Sequence, residues 1–258
     1  MMKTYSKNFN ENKKKNPASI IIIGNEILSG KTLDTNSNYI AKKLRLKGIK
    51  CNSISVIPDD EKTIIQKVNE FKKSSDYIFT TGGIGPTHDD ITSKSISKAF
   101  KLPFEINVEA WKRLEKHYLD EEFTKARQKM AYMPKGSELI DNPVSVAPGF
   151  IIRNIYVFPG VPKILEAMID EFFKKIDNEV LFYKKTISTI LSEGVIGSYL
   201  SDIQKKYKDL EIGSYPYFKK NSFGVSIVFI GDNEELINTS SLEVFEYLKV
   251  KNGKPQLF

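Results

Sequence analysis

Residues 81–92 read Thr-Gly-Gly-Ile-Gly-Pro-Thr-His-Asp-Asp-Ile-Thr. Gly82, Gly83 and Gly85 follow an apolar, strand-like segment at 77–80 and lead into a stretch where Ile96, Ala99 and Phe100 recur at helical spacing. Glycines at a strand-to-helix turn let the backbone approach a ligand closely and aim free N–H groups at it. Asp89 and Asp90 arrive at the helix start, where a metal could bridge carboxylate and diphosphate. His88, inside the loop, could contact phosphate or donate a proton near neutral pH. The pattern predicts phosphate-adjacent chemistry. Its plainer reading is a turn followed by an aspartate helix cap.

The elements that must position this loop alternate between strand and helix from residue 18 onward. Residues 18–24 predict a buried strand, 38–47 a helix with Ile40, Ala41 and Leu44 inward, and 52–57 a second strand. A helix from Asp60 carries Ile64, Ile65, Val68 and Phe71 on one face. Strands separated by such helices predict a parallel sheet with right-handed crossovers. Residues 101–135 read as helical, and 146–152 and 155–158 as two strands around Arg153-Asn154. An amphipathic helix then carries Val161, Ile164, Leu165, Met168, Ile169 and Phe172. Near residue 180 the arrangement restarts as strand, helix, two strands and helix. The tight link at 219–221 favours a hairpin, hence a small α+β domain.

Three segments follow: a lysine- and asparagine-rich tail over 1–17, read as disordered, a domain over 18–180, and a second over 181–258. The net charge of +7 is concentrated in the tail, where five lysines against Glu11 give +4 within fifteen residues. The four arginines, Arg45, Arg113, Arg127 and Arg153, are few for a chain that recognises phosphate bidentately, which disfavours nucleic acid as a partner. The single cysteine, Cys51, rules out an intramolecular disulfide framework. No apolar run is long enough to span a bilayer, and no secretory or transit signal opens the chain, so the expected location is cytoplasmic. Zinc spacing is missing around His88 and His117, and no serine or cysteine is flanked by a plausible base, which disfavours zinc and acyl-transfer chemistry.

The glycine-loop string resembles the GGxGPTxDDxT signature of the MoaB/Mog family, and most closely the CinA proteins and the molybdopterin-binding-like domain of eukaryotic FAD synthase. Four more elements follow in family order: Gly24–Gly30 with Asp34-Thr35-Asn36, the Val56-Ile57-Pro58-Asp59 turn, Ala147-Pro148-Gly149-Phe150, and Phe158-Pro159-Gly160-Val161-Pro162. The resemblance spans about residues 18–175. It implies a three-layer α/β sandwich around a mostly parallel sheet, followed by a small KH-like α+β domain. It also implies catalytic roles for Asp59 and Asp90, with Glu26 as a further metal ligand. Diphosphate or nucleotide contacts would come from Gly82, Gly83, Gly85, Thr87, His88, Asp89, Thr92 and Asn36. Asp59 and Asp90 both fall at strand C-terminal ends, where open α/β sheets place ligands. Asp59 lies between strand and helix, so capping alone could also explain it.

The activity implied is divalent-metal-dependent hydrolysis of ADP-ribose-like or FAD-like dinucleotides. Mg²⁺, Mn²⁺ or Co²⁺ is the expected ion, potassium a further candidate, and a homo-oligomer the expected assembly. Two alternatives stand beside it: molybdopterin binding or adenylylation, and a non-catalytic regulatory protein with an inherited pocket. Ile84 stands where the Mog branch usually has threonine, which favours the CinA reading. The amidohydrolase domain of full-length CinA proteins finds no counterpart before Phe258, so deamidation is not expected. Gly194-Val195-Ile196-Gly197 matches the GXXG of RNA-binding KH loops, but ten lysines against nine acids over 184–258 leave that region nearly neutral, so a turn before a helix is the expected reading. Counterion release is correspondingly small. The isolated segment 180–258 should therefore show no tight, salt-sensitive RNA retention in a filter-binding titration; such binding, weakened by altering Gly194 or Gly197, would contradict this reading.

Overall fold

Six residues from Ala18 to Ile23 form β1, and its four consecutive isoleucines supply both faces of a central sheet. Ile20 and Ile22 point into one core and Ile21 and Ile23 into the other, as the two-residue period of a strand dictates. The computed structural model describes residues 17–119, 121–176, 180–219 and 222–258. All but the last residue of the expected tail lies outside that range. The chain divides into two units, one running through residue 179 and the other from 180 to 258.

In the first unit, β1 lies between β2 (Cys51–Ile57) and β3 (Tyr77–Thr81), both parallel to it. Beyond β3 come β8 (Ile155–Phe158), again parallel, then β7 (Gly149–Ile152) and β6 (Glu138–Ile140), each antiparallel to its neighbour. Helices α2 (Asn36–Leu46) and α7 (Pro162–Lys174) cover one face. There Phe79 stacks against Tyr156, Phe158 and Phe173 at centroid distances of 5.0, 6.3 and 6.0 Å. Helices α3 (Glu61–Phe71), α4 (Thr92–Ala99) and α5 (Val108–His117) cover the other face, burying Ile64, Val68, Ile96 and Leu114. The result is a three-layer α/β sandwich. Tyr39 and Lys43 of α2 both bind Asp170 of α7, at 2.7 and 2.6 Å, and so tie the two helices of one layer together.

Residues 101–135 depart from the single helical stretch expected of them. They contain β4 (Phe104–Ile106) paired antiparallel with β5 (Tyr132–Pro134), with α5 and a short α6 (Lys125–Lys129) between them. Pro103 biases Leu102 away from helix, and Lys101 before it takes a left-handed conformation at φ 54°. Strand β7 starts only at Gly149, after Val146 with φ 65°. Its partner β6 is three residues long, too short for alternation to be visible in sequence.

The second unit is a four-stranded sheet in the order β10 (Glu211–Lys219), β11 (Ser222–Gly231), β9 (Tyr183–Thr189), β12 (Gln256–Leu257), antiparallel throughout. Two of the three residues expected in the hairpin link, 220 and 221, lie outside the described range. Helices α8 (Glu193–Lys206) and α9 (Glu234–Val250) pack on this sheet through Ile196, Leu200, Ile203, Ile237 and Val244. Gly194 and Gly197 belong to the first turns of α8, not to a loop preceding it. Glu193 in the first turn favours a helix start ahead of both glycines, although the Ser192 side chain makes no capping bond. No helix among the described residues is long and apolar enough to cross a membrane.

Phe79 is fully buried at the centre of the aromatic layer. Phe79→Ala should cost about 3–5 kcal/mol in urea unfolding, the usual range for deleting a core aromatic ring. A loss below about 1 kcal/mol would show that the layer closes over the cavity.

Candidate functional site

The C-terminal ends of β1, β3 and β8 converge on the glycine loop. The Gly82 N–H donates to the Phe158 carbonyl at 3.2 Å, and a Cβ at Gly82 would stand 2.0 Å from the Ile23 carbonyl oxygen. Gly82 and Gly83 adopt φ 102° and 69°, and a Cβ on Gly83 would collide with Thr92 Oγ1 at 2.2 Å. Side chains are excluded from both positions by strain and by space. The Gly83 carbonyl accepts from Thr92 N at 2.9 Å, which starts α4 beneath the loop. The N–H groups of Gly83, Ile84 and Gly85 donate to no protein acceptor among the described residues. Thr92 Oγ1 is buried and likewise without a partner there.

Asp90 does not cap α4; Ile91 holds that position. The Asp90 carboxylate instead accepts from Thr87 N at 2.7 Å and lies 2.6 Å from Thr87 Oγ1, while Asp89 lies 2.5 Å from the same hydroxyl. One hydroxyl proton thus serves two carboxylates. The bond to Thr87 holds Asp89 below the usual carboxylate range. Gly85 gives Asp90 its room, since a Cβ there would meet the carboxylate at 2.8 Å. His88 is exposed on the loop.

Asp59 and Asp60 divide two tasks. Asp60 caps α3, accepting from Thr63 N and Oγ1 at 2.9 and 2.7 Å. Asp59 is left to face the crevice, where Oδ2 accepts from Asn25 N at 2.9 Å. That amide opens α1 (Asn25–Leu28), the short helix carrying Glu26. Burial raises the Asp59 pKa, the Asn25 amide opposes the rise, and repulsion from Glu26 and Asp89 adds to it. Asp59 therefore feels the charge of Asp89, while Asp90 is bound to Thr87. Among the described residues no three His, Cys, Asp or Glu side chains gather as a metal site, so Glu26, Asp59 and Asp90 do not form the shared cluster expected of them.

Asn36 sits behind the loop. Its Nδ2 donates to Thr81 Oγ1 at 3.1 Å and to the Gly160 carbonyl at 2.7 Å, leaving a buried Oδ1 with no partner among the described residues. Thr81 Oγ1 in turn donates to the Pro159 carbonyl at 2.8 Å. These bonds fasten the start of α2 to the ends of β3 and β8. Beside them a small, open pocket of about 40 Å³ is lined by Glu26, Thr32, Asp34, Asn36, Thr81 and Gly160. Asp34 holds the start of α2, accepting from Ser37 N and from its hydroxyl. Sequence reasoning missed Lys129, the last residue of α6, whose ammonium donates to the Thr87 carbonyl. A contact across 42 residues has no local signal.

Residues 19–178 match the model of the "probable molybdopterin binding domain", and residues 181–252 that of the "FAD synthase, middle domain". The chain belongs to the MoaB/Mog family. A protein of Archaeoglobus fulgidus is 35% identical over 232 residues, covering 90% of this chain and 98% of the relative. A CinA-like protein of Thermosipho melanesiensis is 33% identical over 224 residues, covering 84% of this chain but 55% of the relative, so the chain spans about half of that protein. Among solved structures, CinA of Thermoplasma acidophilum, itself of unknown function, is 34% identical at a TM-score of 0.59, covering 62% of this chain and 96% of that one. The MoaB/Mog match places the glycine loop, Asp59 and the pocket inside the family domain.

The raised pKa of Asp59 has a consequence for stability. A carboxyl raised in the folded chain stabilises only while protonated; that contribution is present below its unfolded pKa and is lost as pH rises through the folded value. Ionised Asp59 therefore destabilises the free protein near neutrality. Asp59→Asn, which keeps an acceptor for Asn25 N, should raise Tm at about pH 7, with the gap closing as pH falls to about 4. A lower Tm for the variant at neutral pH would contradict this reading.

Proposed function

We propose that this MoaB/Mog domain binds the diphosphate of an ADP-ribose-like or FAD-like dinucleotide and hydrolyses it with a divalent metal. The observation that carries the reading is a glycine loop whose backbone amides have no acceptor among the described residues, together with a carboxylate at a neighbouring strand end whose charge is disfavoured. The amides of Gly83, Ile84 and Gly85 donate to no acceptor among the described residues, and Thr92 is buried against Gly83 behind them. Asp59, at the end of β2, is pushed up by burial and by Glu26 and Asp89. The match of residues 181–252 to the middle domain of FAD synthase supports a dinucleotide of that class.

The donor set fits a cation carried by the ligand. Mg²⁺ characteristically takes one or two carboxylates and fills its remaining positions with phosphate oxygens and water, so a three-carboxylate cage is not required. Repulsion among Asp59, Glu26 and Asp89 is what a cation would relieve. Asp59 and Glu26 would hold the ion, which when bound supplies charge neutralisation on the phosphoryl oxygens and a water of lowered pKa. The loop amides orient the diphosphate at the start of α4. Asp90 keeps the loop in shape through Thr87. The small neighbouring pocket offers the Asp34 carboxylate to a single donor group of the ligand.

A second reading, binding of a pterin without hydrolysis, is favoured by the family description itself, which matches residues 19–178. Release of AMP from ADP-ribose and FAD with Mg²⁺, Mn²⁺ or Co²⁺ separates the two. Asp59→Asn should lower kcat about 10²–10³-fold, the usual effect of removing one preorganised electrostatic contact. Asp90→Asn should act mainly on KM, through the loop. Unchanged turnover in folded Asp59→Asn would reject its catalytic assignment, and wild-type protein that binds a pterin but releases no AMP would favour the second reading.

A further inference from the structure

We propose that Lys129 is a diphosphate-binding residue whose ammonium contacts a phosphoryl oxygen of the ligand held by the glycine loop. This assignment rests on the diphosphate reading above and adds to it a residue from a part of the chain outside the loop's strand-to-helix unit. Lys129 Nζ already donates to the carbonyl of Thr87, the residue that Asp90 fastens in place. An ammonium has three donors, and this bond uses one. No ion pair among the described residues ends on Lys129. Its charge is thus held at the loop by a neutral acceptor, with donors to spare.

The main chain beneath Lys129 is fixed in place. Thr124 caps α6 through Arg127 N at 3.3 Å, and Gln128 Nε2 donates to the Phe123 carbonyl at 2.9 Å. The next residues, Met130 and Ala131, pack into the core, and Asn107 N donates to the Ala131 carbonyl at 2.9 Å. The side chain therefore starts from a rigid base and needs to move only its head. The loop it touches carries two carboxylates, Asp89 and Asp90, and the charge of Asp89 is felt at Asp59. A diphosphate entering there brings further negative charge, and Lys129 supplies a compact positive charge of the kind that serves phosphate as a point contact. Its field already reaches the loop's acidic end, where it helps keep Asp89 ionised.

A purely structural tether would make a different set of predictions. Loosening Thr87 would weaken every ligand alike and would not depend on charge at position 129. The test is calorimetric binding of α,β-methylene-ADP, a non-hydrolysable diphosphate, and of AMP to the full chain and to Lys129→Met, Lys129→Gln and Lys129→Arg, each checked for an unchanged thermal transition. A charged hydrogen bond of this type is worth about 10–100-fold in binding. Lys129→Met and Lys129→Gln should therefore weaken the diphosphate by about 10-fold or more while changing AMP by less than about threefold, and Lys129→Arg should recover most of the loss. Wild-type affinity in the Met and Gln variants, or equal losses for both ligands without rescue by arginine, would overturn the assignment and leave the diphosphate reading standing. Failure of the wild-type protein to bind the diphosphate would overturn both.

Discussion

The ends of β1, β3 and β8 are drawn together around the backbone of Gly82, where a Cβ would stand 2.0 Å from the Ile23 carbonyl oxygen. Gly160, just beyond β8, lies so near that its own Cβ would meet Gly82 Cα at 3.3 Å. Asn36 and Thr81 bind the Gly160 and Pro159 carbonyls and hold this junction closed. With the junction closed, the chain leaving β3 must turn sharply through Gly83 before Thr92 can start α4. The crevice exists because three strand ends meet where no side chain can stand. An open, mostly parallel sheet places ligands at such ends, so the fold's geometry and the site's location have one cause.

The same crevice concentrates charge that does not favour folding. Asp59 is held partly out of water within electrostatic reach of two other carboxylates, and the Asn25 amide compensates in part by donating to it. A native protein keeps such an arrangement where a ligand relieves it, which is the usual relation between strained electrostatics and function. Asp89 and Asp90 share one threonine hydroxyl, and Lys129 approaches the same residue from its carbonyl side. Thr87 thereby becomes the point where acid, base and glycine loop are joined, although its side chain alone gives no hint of that.

Legibility from sequence followed the range of the interactions. The central strands and α2, α3 and α7 were readable because runs such as 20–23 and the helical spacing of Ile64, Val68 and Phe71 act over a few residues. The glycine loop was readable for the same reason. The division of labour between Asp59 and Asp60 was not, since both follow a strand and only the Thr63 contact decides which one caps. Asp90 likewise resembled a cap until its bonds to Thr87 were seen. The segment 101–135 was misread because β4 and β5 are three residues each and pair across α5 and α6, leaving no periodicity to find. Lys129 and the Asn36–Gly160 bond depend on contacts across 42 and 124 residues, which a single sequence does not reveal.

The central claim is that the loop amides and Asp59 act on one diphosphate. A crystal structure with Mn²⁺ and a methylene-bridged ADP-ribose, with an anomalous difference map, tests it most directly. The account predicts the bridged diphosphate on the amides of Gly83 to Gly85, with the manganese peak between it and Asp59. A diphosphate bound away from the loop, or a manganese peak remote from Asp59 with the loop amides left in solvent, would contradict it.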